Sequence, residues 1–207
     1  YWDLIRKYPS YQGGFIWDFV DQALKWPSSE PGTDHVFVYG GDFNDYDPSD
    51  NSFCCNGIIA ADRSYHPHSY EVAYQYRSIL TTATAQETKA GKVNVYNENF
   101  FIDLSRYMME WDVEVDGAKV LRGVVSDIDA APGETVEVSL GYNEADVAEA
   151  AGIESLDMHD VYLTVRYLLK RADGLLPAGS EVAYDQICMN EAAIELFPNV
   201  SGLPSYI

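Results

Sequence analysis

The chain has 207 residues, of which 47% are hydrophobic and 14% aromatic, and its formal net charge at pH 7 is −20. This composition excludes a disordered chain and predicts a soluble globular protein of one large or two ordinary domains. The excess of 33 acidic over 13 basic residues argues against nucleic acid and anionic membranes as partners, because both select for clustered lysine and arginine. No apolar run reaches the roughly 20 residues that span a bilayer.

The first third of the chain shows a mixed pattern. Its start carries neither an initiator methionine nor a signal-peptide hydrophobic region, so we expect an internal piece of a longer protein or a trimmed chain. A helix is predicted over residues 1–8, and the almost continuously apolar run 13–20 predicts a strand buried on both faces. Turn-forming residues predict a loop over 25–50, and a further helix is predicted over 66–76 with Pro67 in its first turn. This order is typical of α/β structure.

The remainder alternates with a period of two. From Met109 to Asp116, apolar side chains alternate with acidic ones, which predicts a half-buried antiparallel strand followed by a hairpin turn at Gly117. Further strands are predicted at 119–125, 135–140, 162–169 and 181–189. Short strands at near-regular spacing indicate a β-sandwich. The acidic, alanine-rich stretch 143–160 predicts a loop or a short helix.

One neighbourhood has the residue types of a carbohydrate site. Trp17 lies among aspartates, and the segments 39–45 and 53–57 add aromatic, Asp and Asn residues. An indole ring stacks on the apolar face of a sugar while carboxylates and amides bind its hydroxyl groups. The residues alone leave a second interpretation open, in which Trp17 is part of the core and the aspartates stabilise turns.

The carboxylates of this region do not form an evident catalytic pair. Before residue 78 the only glutamates are Glu30, in a loop, and Glu71, in the first turns of a helix, and neither has a catalytic context. Asp18 and Asp21 would point to opposite faces of a strand, so we expect Asp18 to orient loops by hydrogen bonding.

Nucleophilic and zinc chemistry also lack support. The cysteines are too few and too irregularly spaced for a disulfide framework or a zinc site, and the histidines lack spaced partner ligands. We expect free or buried thiols and no metal at the histidines. The residues concerned are Cys54, Cys55 and Cys188, and His35, His66, His68 and His159.

Longer runs of sequence carry a family resemblance. YWDLIRKYPSYQGGFIWDFVDQAL and YGGDFNDYDPSDNSFCCNGIIAADRSYHP resemble the bacterial β-galactosidases of glycoside hydrolase family 2, from just after the nucleophile to the last helix of the TIM barrel. VNVYNENFFIDLSRYMMEWDVEVDG, YLTVRYLLK and LPAGSEVAYDQ resemble the immunoglobulin-like fourth domain of that family. The resemblance implies a mixed fold, a partial α/β barrel followed by an all-β sandwich. Its parts would be the C-terminal end of the (β/α)8 barrel at 1–78, a linker at 79–91, the sandwich at 92–190 and a second linker at 191–207.

The resemblance also implies an activity and a site. The parent would be a retaining enzyme that hydrolyses terminal non-reducing β-D-galactosides, in the bacterial cytoplasm or periplasm, and it could form a homo-oligomer. Trp17 would line the floor of the galactose subsite. The Phe53 main-chain oxygen and the Asn56 side chain would bind a sodium ion that meets the 6-hydroxyl group of the sugar, so both positions would also contact substrate. This chain has Cys55 at a position where members of the family commonly have another residue.

The same resemblance implies that much of the site is missing. The nucleophile, the acid/base glutamate, the magnesium ligands and a third sodium ligand would all precede Tyr1. We therefore expect the isolated chain to be inactive, to bind neither sodium nor magnesium tightly, and to expose an apolar surface. A β-glucuronidase or β-mannosidase parent, or a non-catalytic sandwich that binds carbohydrate or spaces domains, is the alternative.

Overall fold

The computed structural model describes residues 1–192, and the chain divides into two compact units, Tyr1–Tyr76 and Arg77–Ile207. Most of the linker predicted at 191–207 therefore lies outside the described residues. Within the described part, no helix has the length and apolar character needed to cross a membrane.

The first unit contains two α-helices, a small hairpin and one turn of 3-10 helix at Gly40–Asp42. In chain order its elements are α1 (Trp2–Lys7), β1 (Leu24–Pro27), β2 (His35–Val38) and α2 (Pro67–Gln75). Both predicted helices are confirmed, and α2 begins with Pro67 directly after its N-cap residue, His66. Proline suits this position because its fixed φ matches the helix and its missing N–H would have no partner there.

The strand predicted over 13–20 does not form, and the prediction of burial on both faces is wrong. The segment makes a single parallel bridge, between Val20 and Ile59. The side chains of Phe15 and Phe19 are 106% and 63% exposed. A buried parallel strand needs neighbouring strands and covering helices, and within residues 1–192 the bridge to Ile59 is its only strand pairing.

The loop predicted over 25–50 contains a hairpin. Strands β1 and β2 pair antiparallel, with Lys25 opposite Phe37 and Trp26 opposite Val36. Aromatic and β-branched residues favour strand pairing. The connection between the two strands contains Ser28, Ser29, Pro31 and Gly32, and most of the other turn-forming residues follow β2.

The second unit is a sandwich of two antiparallel sheets, as predicted. One sheet has the strand order β3-β4-β7 and the other β6-β5-β8-β9. The strands are β3 (Ile79–Thr82), β4 (Lys92–Asn97), β5 (Tyr107–Val115), β6 (Ala118–Val125), β7 (Thr135–Ser139), β8 (Val161–Leu169) and β9 (Glu181–Asn190), and the helices are α3 (Ala85–Lys89) and α4 (Glu144–Ala151). The hairpin at Asp116 and Gly117 forms, with φ of 50° and 80° at the two residues.

The linker predicted over 79–91 is wrong, because these residues belong to the sandwich. Ile79 is 2% exposed, and β3 pairs along its length with β4. Helix α3 starts at a capping box in which Thr84 and Glu87 satisfy each other's main-chain amides. Because the strand is only four residues long, it is too short to show an alternating pattern.

The core lies between the two sheets. Met109, Trp111 and Val113 of β5 face it and are 0%, 7% and 0% exposed, which confirms the predicted apolar stripe. Asp112, on the opposite face of the strand, was expected to meet solvent but is only 5% exposed. Its carboxylate lies between the cations of Lys119 and Arg166, whose long side chains cover it.

The first unit has little core of its own. Of the buried hydrophobic residues in the described chain, only Ile59 falls before Arg77. Many large apolar side chains here are exposed, and α1 and α2 line a groove of about 460 Å³ together with Tyr11, Phe15 and Ile16. The expected exposed apolar surface is therefore present.

Candidate functional site

The candidate site is built where two separate segments, 18–21 and 56–59, run side by side. The Asp18 amide donates to the Asn56 carbonyl oxygen at 2.8 Å, and the Ile58 amide donates to the Asp18 carbonyl oxygen at 3.0 Å. These main-chain bonds bring two distant stretches of sequence into register. They place Trp17, which precedes Asp18, beside residues 53–57 (sequence FCCNG), which we call the FCCNG turn.

Gly57 allows the two segments to approach this closely. A Cβ atom at Gly57 would lie 2.1 Å from the Asp21 main-chain nitrogen and 2.4 Å from the Val20 carbonyl carbon. Both atoms belong to the main chain, so a side chain could not be accommodated by a simple rotamer change. A glycine is therefore required at this position.

Asp21 links three parts of the first unit. Its Oδ1 accepts from the Gly57 amide at 2.8 Å, and its Oδ2 lies 2.8 Å from His66 Nε2. The neighbouring His68 contacts the Gly57 carbonyl oxygen through Nε2 at 3.1 Å, and its ring stacks on that of His66. The histidines thus hold the start of α2 against the turn. His66 is the N-cap residue of α2, but its side chain makes no cap hydrogen bond, so its contact is with Asp21 and not with the helix amides.

Asp18 has the orienting role that the sequence suggested. Its Oδ1 accepts from the Phe19 amide, and its Oδ2 accepts from Gln22 Nε2 at 2.9 Å. Gln22 Oε1 in turn accepts from the Asn56 amide at 3.0 Å. The bonds of Asp18 and Asp21 therefore go to different partners, and the two carboxylates do not act as a pair.

Trp17 is available to a ligand in this chain. Its side chain is 74% exposed, which excludes the interpretation of Trp17 as a core residue of this unit. The peptide bond between Trp17 and Asp18 is cis. Phe53, in the turn that carries Asn56, is also exposed, at 61%. The hydrogen bonds of the Asn56 main chain thus bring Trp17 and the turn to the same place.

The other carboxylates and thiols lie outside this arrangement. Glu71 accepts from Gln75 on the surface of α2, and the Glu30 amide donates to Ser28 in the hairpin connection. All three cysteines are free. Burial and a hydrogen bond to Cys54 raise the pKa of the Cys55 thiol. No cluster of three or more His, Cys, Asp or Glu side chains able to hold a metal occurs within residues 1–192.

Two family models match the chain, one on each side of residue 90. Residues 1–81 match the TIM barrel domain of glycosyl hydrolases family 2, and residues 93–190 match domain 4 of β-galactosidase. The chain belongs to glycosyl hydrolases family 2.

Curated relatives in this family cover nearly all of the chain. It is similar to β-galactosidases from Priestia megaterium (37% identity over 91% of this chain) and Halalkalibacterium halodurans (35% over 98%). It is also similar to one from Vibrio vulnificus strain CMCP6 (32% over 99%). The aligned parts make up 17%, 18% and 19% of these relatives, so the chain spans less than one fifth of their length.

The sodium site implied by family membership can be compared with the residues present. The Phe53 main-chain oxygen accepts no main-chain hydrogen bond in the described part of the chain, and the buried Asn56 Nδ2 has no partner there. Rotation of the amide exchanges its nitrogen and oxygen. Both residues thus keep polar atoms available, and carbonyl and amide oxygens are the ligands that hard cations prefer.

Reasoning from sequence did not identify the residues that hold the two segments together. Asp21 bonds Gly57 and His66, and Gln22 bonds Asn56, across gaps of more than 30 residues. The clustering of Asp, Gln and Gly around the aromatic residues was the only available signal, and it does not specify which groups pair.

Proposed function

We propose that this chain is part of a retaining β-galactosidase that hydrolyses terminal β-D-galactosides, and that it supplies one wall of the galactose subsite. The observation that carries the proposal is the exposed Trp17 tied to Asn56 through the Asp18 amide, in a chain whose relatives are named β-galactosidase.

Trp17 supplies the apolar part of this wall. The indole ring offers a flat surface to the C–H groups of a galactose ring, and burying that surface against the sugar stabilises the complex. The Asn56 amide, next to it, offers a polar group to a hydroxyl group. A combination of one aromatic platform and few convergent polar groups is typical of sites that orient a small ligand.

Phe53 and Asn56 would hold a sodium ion through the Phe53 main-chain oxygen and the Asn56 side chain. When bound, the ion would offer a positive charge to the 6-hydroxyl group of the sugar. Two ligands from one turn are too few for tight binding, so the remaining ligands, like the magnesium ligands, would come from parts of the protein that precede Tyr1. This segment would therefore contribute two correctly placed ligands to the sodium site, and the chain alone would bind sodium weakly.

The catalytic carboxylates would also come from preceding parts of the protein. A retaining glycosidase needs a nucleophile and an acid/base about 5 to 5.5 Å apart. In the first unit, Glu30 and Glu71 lie in a hairpin connection and on a helix surface. The chain alone should therefore bind galactosides weakly and hydrolyse none.

The proposal is tested by hydrolysis of a chromogenic β-galactoside by the full-length protein that carries this chain. Trp17→Ala should lower kcat/KM at least about thirtyfold, since truncating an aromatic anchor at the centre of a site costs about 2 kcal/mol or more. The matched control is Trp26→Ala, which removes an exposed indole of β1 that packs on Phe43. It should leave kcat/KM near the wild-type value.

Two outcomes would overturn the proposal. Faster hydrolysis of a β-glucuronide or β-mannoside than of a β-galactoside would assign the protein to another activity of the family. Unchanged kcat/KM in Trp17→Ala would remove Trp17 from the subsite.

A further inference from the structure

Three hydrogen bonds form a closed ring between Asp18, Gln22 and Asn56. The Asp18 amide donates to the Asn56 carbonyl oxygen at 2.8 Å. The Asn56 amide donates to Gln22 Oε1 at 3.0 Å, and Gln22 Nε2 donates to Asp18 Oδ2 at 2.9 Å. Both main-chain polar groups of Asn56 are thus held by the segment that follows Trp17.

The central member of the ring must both donate and accept. The amide of Gln22 does this with a donor on one side and an acceptor on the other. A carboxylate at the same place would retain the acceptor for Asn56 but would face the negatively charged Asp18 without a donor. A side chain of the same length without polar atoms would leave the Asn56 amide unpaired in a partly buried place.

No hydrogen bond of its own Nδ2 atom holds the side chain of Asn56 in place within the described part of the chain. Asn56 Nδ2 is buried and has no partner in the described part of the chain. Its location depends on where the main chain of Asn56 is held, and that main chain is held by Gln22 and Asp18. Through its bonds to the Asn56 main chain and to Asp18, Gln22 therefore links the position of the Asn56 side chain to the position of Trp17.

We propose that Gln22 is a positioning residue of the galactose subsite, which sets the place of Asn56 relative to Trp17 without touching the sugar. This inference rests on the proposed function. It predicts that loss of the Gln22 hydrogen bonds weakens the binding of galactosides, because the main chain of Asn56 would no longer be held beside Trp17.

The experiment uses the full-length protein and two variants that separate the bonds. Gln22→Met removes donor and acceptor with little change in shape, and Gln22→Glu keeps the acceptor but replaces the donor with a negative charge that faces Asp18. The matched control is Gln186→Glu, which makes the same change at a hydrogen-bonded glutamine of β9. The measurements are KM and kcat for a chromogenic galactoside and, by calorimetry, the Kd of a non-hydrolysable thiogalactoside at several sodium concentrations.

Both Gln22 variants should raise KM and the thiogalactoside Kd at least about tenfold, with a smaller change in kcat. They should also need more sodium to reach maximal affinity, whereas Gln186→Glu should match the wild type. A role confined to folding would lower the yield or the thermal midpoint without this shift in the sodium requirement.

Unchanged KM, Kd and sodium requirement in Gln22→Met beside an active wild type would overturn the inference alone. Failure of both Gln22 variants to fold would also overturn it, because Gln22 would then be a determinant of folding. An inactive wild type that binds no thiogalactoside would instead overturn the proposed function.

Discussion

Asp21 accepts a hydrogen bond from the amide of Gly57, 36 residues away in the sequence, at 2.8 Å. The main chains of the two residues also approach closely, because a Cβ atom at Gly57 would lie 2.1 Å from the Asp21 main-chain nitrogen. The hydrogen bond can form only because Gly57 has no side chain. They determine how near the turn that carries Asn56 can come to the segment that carries Trp17.

Gly57→Ala should separate these segments. We expect a loss of about 1–3 kcal/mol in the free energy of unfolding of the full-length protein, the usual range for overpacking. We also expect a lower kcat/KM for galactoside hydrolysis, because Asn56 and Trp17 would move apart. Thermal unfolding and kcat/KM are the measurements. Gly41→Ala is the control, since a Cβ there meets only Ser49 at ordinary contact distances of 3.8 and 3.9 Å. Equal effects of the two substitutions would contradict the steric argument.

Asp185→Ala should strongly destabilise the sandwich. The Asp185 carboxylate accepts from Arg77 at 2.8 Å and from the Thr81 amide at 2.7 Å, and the side chains of Arg77 and Asp185 are only 10% and 7% exposed. Removing one partner of a buried ion pair costs about 3–5 kcal/mol, because the remaining charge stays buried. Urea unfolding of the 207-residue chain, followed by far-ultraviolet circular dichroism of its strands, measures the change.

The exposed pair of Lys92 and Glu137 provides the comparison for Asp185. Its atoms are also 2.8 Å apart, but its side chains are 46% and 54% exposed. Glu137→Ala should leave the unfolding midpoint almost unchanged, since exposed ion pairs are screened by water and salt. A shift as large as that of Asp185→Ala would show that burial does not decide the strength of these pairs.

Asp112 should make the sandwich sensitive to acid. Burial alone would raise the pKa of Asp112, but hydrogen bonds and charges from Lys119 and Arg166 outweigh it and hold the pKa below its ordinary value of 3.8. As the pH falls, the unfolded chain takes up the proton first. The stabilisation is therefore complete above about pH 4 to 5 and is lost as the pH falls through the folded-state pKa.

Asp112→Asn removes this titration. We expect the variant to be less stable than the wild type at pH 7, and the difference between the two to shrink as the pH is lowered from 5 to 2. Urea unfolding of the 207-residue chain at each pH measures it. A difference that stays constant over this range would show that the carboxylate charge is not responsible.

The distribution of the core predicts unequal protection from hydrogen exchange. Val93, Val113 and Val165 are completely buried in β4, β5 and β8, whereas Ile59 is the only buried hydrophobic residue of the described chain before Arg77. In the isolated 207-residue chain, amides of these three strands should exchange only through global unfolding, and those of residues 1–76 much faster. Mass spectrometry after peptic digestion would show this. Comparable protection in both units would contradict it.

The predictable parts of the fold are those strands and helices whose own residues show a periodic pattern or a terminal signal. The alternation in β5 identified its buried face, and Pro67 identified the start of α2. Residues 13–20 were predicted wrongly because an apolar run indicates that a segment favours burial, but it does not show whether strands and helices are present to cover it. Asp112 was missed because its burial depends on Arg166, which approaches from an adjacent strand.

The candidate site divides in the same way. Trp17, Phe53 and Asn56 are assigned to the proposed site through the resemblance of their segments to family motifs. The groups that hold them, such as Gln22 and His66, depend on pairings across more than 30 residues, to which local spacing is insensitive. Hydrogen bonds between distant loops leave no periodic trace in a sequence.

The two segments of the site contact each other directly, and the β1–β2 hairpin with the residues that follow it forms an excursion between them. The excursion can therefore lengthen, shorten or change composition among relatives while Trp17 and Asn56 keep their separation. Insertions and deletions should accumulate between Leu24 and Asp50, and very few should be tolerated within 17–22 or 56–59. Under the proposed function, changes in the excursion would alter the surroundings of the bound sugar, and with them the choice of aglycone, while the separation of Trp17 and Asn56 stays the same.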